Sequence, residues 1–216
     1  MATPLLSLAV GVKTAVAISI VPNIVMDFIQ VVRRGGVLAS VRRLSVLLLF
    51  GLVGTFVGTR LLAVLPPRVA TMVLGAFVLL FVGLNVAGIR PHIPASWERW
   101  LSPPVGFLAG VLGGLTNVPG TPLVIYFHAL GVDKHEFVRS VALAFMTYKV
   151  VQLGAVTWYG LLTWPLLLVS VALTALGLCS FAVGLRLQDW LPERIFNSGV
   201  MTFLALVGIW LILRSM

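Results

Sequence analysis

Lys149 is a candidate functional residue in this sequence, because it is a cation near the middle of a long apolar run. An ionisable group at that depth is costly and by default marks a functional path. Tyr148 precedes it, and Gln152 follows about one helical turn later. Lys149 can hold a substrate anion as a point charge, or release its proton in a coupling cycle. The alternative is a structural ion pair, for which Asp27 in the first apolar run is the natural partner.

A second group of polar residues lies in the proline- and glycine-rich stretch 116–122. Pro119 lacks a backbone donor and Gly120 permits unusual dihedral angles, so a continuous helix is not expected here. Unwound backbone at membrane depth survives only where it is buried in protein or lines a wet cavity. Free amides at the start of a half-helix suit an anionic substrate, whereas the alternative is a kink with self-satisfied polar groups. The polar side chains of the stretch are Thr116, Asn117 and Thr121.

Three glycines precede this stretch at intervals of four residues, namely Gly106, Gly110 and Gly114. This spacing places them on one helix face, where small residues let a neighbouring backbone approach closely. We therefore expect these glycines to serve helix packing rather than substrate binding.

The amino-acid composition indicates whether these residues lie in water or in lipid. Of the 216 residues, 60% are hydrophobic and only 10% are charged, and the mean hydropathy is +1.10. A soluble domain is about half apolar and a quarter charged, and an open sheet edge cannot be tolerated in lipid. The chain is therefore predicted to be an all-α polytopic integral membrane protein in a lipid bilayer. Its formal charge of +9 comes mainly from short loops, as in membrane topology signals, so no nucleic-acid partner is expected.

Apolar runs bounded by charges, glycine and proline predict seven membrane segments within one transmembrane domain, residues 1–216. Six are spans at 12–32, 44–65, 69–89, 137–159, 161–185 and 195–213, and the seventh is a broken segment at 104–130. The connections are too short for a soluble catalytic domain, and no nucleophile with its base and no metal-ligand spacing is evident. No enzyme, cofactor or metal site is predicted.

An offset of 126 residues aligns the first part of the chain with the last without gaps, which predicts an internal duplication. Gly51, Gly58, Arg60, Leu65, Pro66 and Arg68 fall on Gly177, Gly184, Arg186, Leu191, Pro192 and Arg194. The first repeat is predicted over 12–89 and the second over 104–215, with a broken or re-entrant glycine-rich helix opening the second. The first repeat lacks a counterpart of this helix, and residues 1–11 are interpreted as a remnant of it. The same offset places Asn23 on Lys149, which makes Asn23 and Asp27 further site candidates.

The topology depends on how the broken segment 104–130 crosses the membrane. If it crosses once, lysine and arginine divide almost evenly between the two sides. If it enters and leaves on one side, most basic loops share that side, as the positive-inside rule requires, and the two repeats are inverted. The second arrangement is favoured. Just after this segment, Asp133 and Glu136 have the spacing of a capping box, with Asp133 as the N-cap of the next helix.

The run 104–114, together with residues 119–126 and 139–142, resembles the second repeat of the TauE/SafE sulfite and sulfonate exporter family. The resemblance extends from about Val12 onward. It implies a multi-pass transporter of the bacterial inner membrane that moves sulfite, sulfonates or related small organosulfur anions. Two features depart from the family pattern: the first glycine-rich segment has no counterpart, and the single Gly113–Gly114 pair stands where many relatives carry a longer run.

The leading hypothesis is a secondary transporter that exports a small anion bound between the repeats, with access alternating as one repeat rocks. The predicted substrate-binding residues are Thr116, Asn117, Pro119, Gly120, Thr121, Tyr148, Lys149, Gln152, Asn23 and Asp27. Proton coupling and a homo-oligomer are both compatible with this hypothesis. The alternatives are a non-transporting membrane subunit or scaffold that has lost part of the first repeat, and a passive channel.

Overall fold

The computed structural model describes residues 2–34, 37–86, 93–117 and 120–190, and a few single residues between 202 and 213. All regular structure in these residues is helical, which confirms the all-α class. The helices are α1 (Ala2–Val10), α2 (Val12–Arg34), α3 (Val37–Val64), α4 (Pro67–Val86), α5 (Glu98–Thr116), α6 (Gly120–Ala129), α7 (Lys134–Trp158) and α8 (Trp164–Trp190). A single 3₁₀ turn, Ala95–Trp97, precedes α5.

Three helices of the described ranges are long and apolar enough to cross a membrane. They contain the stretches Val12–Val32, Val37–Val64 and His135–Trp158. Exposed tryptophans lie near the start of α5 and around the turn between α7 and α8, where they suit the two aromatic belts of a bilayer. These are Trp97, Trp100, Trp158 and Trp164. The chain is therefore a multi-pass membrane protein.

Several predicted segment bounds need correction. The helix predicted from residue 44 begins at Val37, because Arg42 and Arg43 lie exposed at its end and do not interrupt it. The segment predicted from residue 104 begins at Glu98, with Pro103 and Pro104 inside α5. Because proline has no backbone N–H, the carbonyls of Arg99 and Trp100 receive no hydrogen bond from Pro103 and Pro104. Both carbonyls lie at the exposed end of the helix, where water can bond them. The span at 195–213, with Arg194, lies mostly outside the described residues.

The break predicted in the glycine-rich segment is confirmed. Helix α5 ends at Thr116, and Asn117 adopts a left-handed conformation with φ of 63°. The Asn117 N–H closes the helix by donating to the Gly113 carbonyl at 2.8 Å. Helix α6 then starts at Gly120. Pro119 and its neighbour Val118 lie outside the described residues, and for Gly120 and Thr121 the structure describes only the backbone.

Helices α5 and α6 form a hairpin whose two ends meet. The backbone N–H of Ile93, just before α5, donates to the carbonyl of Ala129, the last residue of α6, at 2.9 Å. The Tyr126 hydroxyl in α6 donates to the carbonyl of Glu98 at 3.0 Å and lies 2.9 Å from the Ser102 hydroxyl in α5. Asn117 is therefore the tip of a segment that returns to the end from which it started.

A charged cluster shows that α3, α5 and α7 start at the same end of the bundle. Arg43 of α3 contacts both carboxylate oxygens of Glu98 at the start of α5, at 2.7 and 3.0 Å. It also pairs with Glu136 at the start of α7. We call this end the first face. Helix α2 starts at the opposite, second face, because the Lys13 ammonium donates to the Ala63 carbonyl near the end of α3 at 2.8 Å. Helices α2 and α7, which pack together, are therefore antiparallel.

Helices α3 and α5 touch through their backbones, which confirms the packing role predicted for the three glycines. A Cβ on Gly106, Gly110 or Gly114 would collide with carbonyl oxygens of α3. Gly54 and Gly58 of α3 are equally close to carbonyl oxygens of α5. The two helices therefore form one tight pair, and this pair fixes the position of the hairpin tip.

Residues 1–11, predicted as a remnant of a lost helix, contain the complete helix α1 (Ala2–Val10). Helix α1 packs against α2, and Gly11 makes the turn between them with φ of +79°. Shifting α3 by the predicted offset of 126 residues gives 163–190, and α8 spans Trp164–Trp190. The duplication itself, with its bounds 12–89 and 104–215, stays a prediction.

Asp133 is the N-cap of α7, as predicted. Its carboxylate accepts from the backbone N–H groups of Glu136 at 3.0 Å and His135 at 2.8 Å, which hold the pKa of Asp133 below its ordinary value. The Glu136 side chain does not complete the capping box, because it pairs with Arg43 instead. The ionised Asp133 therefore stabilises the first turn of α7.

Replacing Asp133 with alanine is expected to lower the melting temperature of the detergent-solubilised protein, because two N–H groups lose their acceptor. Asp133→Asn keeps an acceptor and is the control. The native contribution is fully present above the ordinary aspartate pKa and disappears as the pH falls through the lowered folded-state pKa. The difference in melting temperature between native and Asn proteins should therefore shrink on acidification. A difference that grows would contradict this assignment.

Candidate functional site

A buried polar cluster of the described bundle is centred on Lys149 of α7. Lys149 is only 2% exposed and lies well inside the helix. Its ammonium donates to the side-chain oxygen of Asn117 at the hairpin tip, and to Gln152 Oε1 at 2.9 Å. Asn117 and Gln152 are themselves buried, at 6% and 0% exposure. The structure thus brings together three residues that were predicted separately from two distant stretches of sequence.

Both amides around Lys149 have fixed orientations. Gln152 Nε2 donates to the carbonyls of Gly113 at 3.1 Å and Gly114 at 3.0 Å, at the end of α5. Asn117 Nδ2 donates to the hydroxyl of Thr3 in α1 at 2.8 Å. Because an amide has its donors on one side and its acceptor on the other, both oxygens must point toward Lys149. The ammonium is therefore held by two oriented neutral dipoles.

Lys149 has no carboxylate partner within 4.0 Å among the residues that the structure describes. Asp27, the predicted partner, is buried in α2 at 8% exposure, and its charge interacts with that of Lys149 at longer range. An ammonium carries three N–H donors, and two of them have the amide acceptors described above. The arrangement leaves a buried positive charge that is solvated by dipoles and has no neutralising contact.

The other predicted site residues lie at varying distances from this cluster. Thr116 is buried beside Asn117, and its hydroxyl donates to the Leu112 carbonyl at 2.7 Å. Tyr148 points elsewhere: its ring packs on Gly51, and its hydroxyl donates to the Leu47 carbonyl of α3 at 3.2 Å. Asn23 is half-buried in α2. Substrate contacts by these residues stay predictions.

Sequence reasoning missed Thr3, which comes from a segment interpreted as a remnant. Thr3 is 3% exposed, and 114 positions separate it from Asn117. Helix α1 starts next to the hairpin tip and runs to the second face, whereas α6 runs from the tip to the first face. A polar residue at the start of an apolar stretch was the available signal.

The fold and the site define a class of protein: a multi-pass helical membrane protein with a buried cation beside a broken helix, the architecture of secondary transporters. The family model for the sulfite exporter TauE/SafE matches residues 1–211. The chain therefore belongs to the TauE/SafE family and is a membrane transporter of the sulfite-exporter type, not an enzyme. The match also covers residues 1–11, before the predicted start of the resemblance at Val12. Comparisons with curated proteins and with solved structures give no significant match.

Proposed function

We propose that this chain exports a small oxyanion, either sulfite or a sulfonate, across the bacterial plasma membrane, and binds it on the Lys149 ammonium near the Asn117 tip. The observation that carries the proposal is the buried Lys149 charge, which has amide dipoles but no carboxylate within 4.0 Å among the described residues. A buried charge with no carboxylate in contact is costly, and an arriving anion neutralises it. Binding energy is therefore available for a small anion.

The surrounding backbone supports the same assignment. Helices α1 and α6 both begin close to Asn117 and run toward opposite faces. The N-terminus of a helix carries partial positive charge and free N–H groups, which favour anions. A broken helix that lines a substrate path is also the tolerated place for unwound backbone in a membrane.

A hairpin that returns to the first face favours the inverted arrangement of the two repeats. The α5–α6 segment would then be re-entrant, with its tip reaching the substrate from the first face. Helix α1 would reach the same point from the second face. We propose that alternating access moves one half against the other around the fixed Lys149 region, so that each face reaches the anion in turn.

Flux measured in proteoliposomes tests the function. The purified chain should release sulfite or a sulfonate with saturable kinetics, and Asn117→Ala should raise the apparent KM, because it removes the amide that holds the Lys149 ammonium in place at the hairpin tip. An imposed pH gradient that changes the rate would add proton coupling. Unsaturable flux would indicate a channel. The absence of flux, together with co-purification of another membrane protein, would favour the scaffold alternative.

A further inference from the structure

Thr3 joins the N-terminal helix to the anion site through one hydrogen bond. Its hydroxyl accepts from Asn117 Nδ2 at 2.8 Å, and both side chains are buried. The Asn117 backbone leaves the helical conformation at this point, so the α5 helix does not dictate the rotamer of its side chain. The orientation of the Asn117 amide therefore depends on the partners that its two ends meet.

We propose that Thr3 is a positioning residue of the substrate site, which acts through Asn117 and does not touch the substrate. By engaging the Asn117 NH₂ group, Thr3 directs the amide oxygen toward the Lys149 ammonium. Without this acceptor the Asn117 amide can turn and present its NH₂ group to Lys149. The partial positive charge of that group repels the ammonium, which is then no longer held in place. This inference rests on the proposed function, because it assumes that Lys149 holds the anion.

Gln152 shows why Asn117 needs such a partner. Its NH₂ group is fixed by two carbonyls, those of Gly113 and Gly114, on the tightly packed helix α5. Among the described residues, the NH₂ group of Asn117 donates to the Thr3 hydroxyl and to no backbone carbonyl. The two amides therefore play equivalent roles. The Gln152 amide is oriented by α5 in the second half of the chain, and the Asn117 amide by α1 in the first half.

The test compares two variants. Thr3→Val keeps the shape of the side chain but removes the hydroxyl, whereas Thr3→Ser keeps the hydroxyl. Loss of one oriented hydrogen bond is expected to raise the apparent KM for sulfite roughly five-fold in Thr3→Val, with Vmax within about two-fold. Thr3→Ser should return KM to within about two-fold of native. Thr59→Val is the matched control, because Thr59 is fully buried and its hydroxyl donates only to the local Thr55 carbonyl at 2.8 Å.

A native KM in Thr3→Val would overturn the proposal, and so would a Thr3→Ser protein as impaired as Thr3→Val, since packing alone would then explain the effect. If Thr3→Val gives little folded protein, Thr3→Ala removes the same hydroxyl and supports the same comparison. The rise in melting temperature on adding sulfite gives a second readout that needs no flux. Normal transport by Lys149→Met would refute the placement of the anion at Lys149, on which this inference rests, whereas an inactive Lys149→Met with a native Thr3→Val refutes only the role of Thr3.

Discussion

Replacing Lys149 with methionine is expected to lower sulfite or sulfonate transport on the order of 100-fold, equivalent to about 3 kcal/mol of lost interaction with the anion. Methionine fills a similar volume but carries no charge. The anion would then enter a buried site that offers two amide oxygens, and these repel it. Initial rates in proteoliposomes at several substrate concentrations measure the effect as a change in Vmax/KM.

Folding should respond differently from transport, and this difference separates a functional lysine from a structural one. Lys149→Met removes a buried charge, which stabilises the protein, but it also leaves Asn117 Oδ1 and Gln152 Oε1 without a donor, at about 1–3 kcal/mol each. These effects oppose each other, so the melting temperature should change by only a few degrees. A large fall in melting temperature would instead indicate that Lys149 mainly holds the fold together.

Lys13 provides the matched control for this prediction. Lys13 is partly buried, and its ammonium donates to the Ala63 carbonyl near the end of α3, away from Asn117 and Gln152. Lys13→Met is therefore expected to retain native transport. Native transport by both Lys149→Met and Asn117→Ala would show that the site assignment is wrong.

Much of the candidate site could be predicted from residue types. Lys149 was identifiable by its depth in an apolar run, and Gln152 by its helical spacing from it. Asn117 lay in a stretch where Pro119 and Gly120 ruled out a continuous helix. Thr3 could not be predicted, because its contact with Asn117 depends on how a short helix packs against a distant hairpin tip, and no periodicity encodes that packing.

The fold was predictable to a similar depth. Long apolar runs identify membrane helices because lipid requires each backbone to satisfy its own hydrogen bonds. Charges were a poor guide to helix ends: α3 continues past Arg42 and Arg43, which pair or face water at the first face. The return of α6 to the start of α5 depends on specific contacts such as that between Ile93 and Ala129, which no hydropathy pattern contains.

The helix pair α3–α5 has no space for an added Cβ, and Gly110 is the middle one of the three contacting glycines of α5. A Cβ at Gly110 would collide with the carbonyl oxygen of Gly51 and would lie 2.8 Å from the backbone nitrogen of Thr55. Neither atom belongs to a flexible side chain, so the two helices must separate along their whole contact. Gly110→Ala is expected to destabilise the protein by about 3 kcal/mol, the upper end of ordinary overpacking, and Gly110→Leu should prevent folding.

Gly154→Ala is the control for Gly110→Ala, because Gly154 also lies in a helix but nothing approaches its added Cβ within 4 Å. That substitution should be neutral or stabilising by about 0.5–1 kcal/mol, since alanine favours the helix. Thermal unfolding in detergent, with the yield of monodisperse protein, measures both variants. Equal melting temperatures for the two would mean that α3 and α5 do not touch through their backbones. Because the carbonyls of Gly113 and Gly114 hold Gln152 from the same helix, residual folded Gly110→Ala should also transport more slowly than Gly154→Ala.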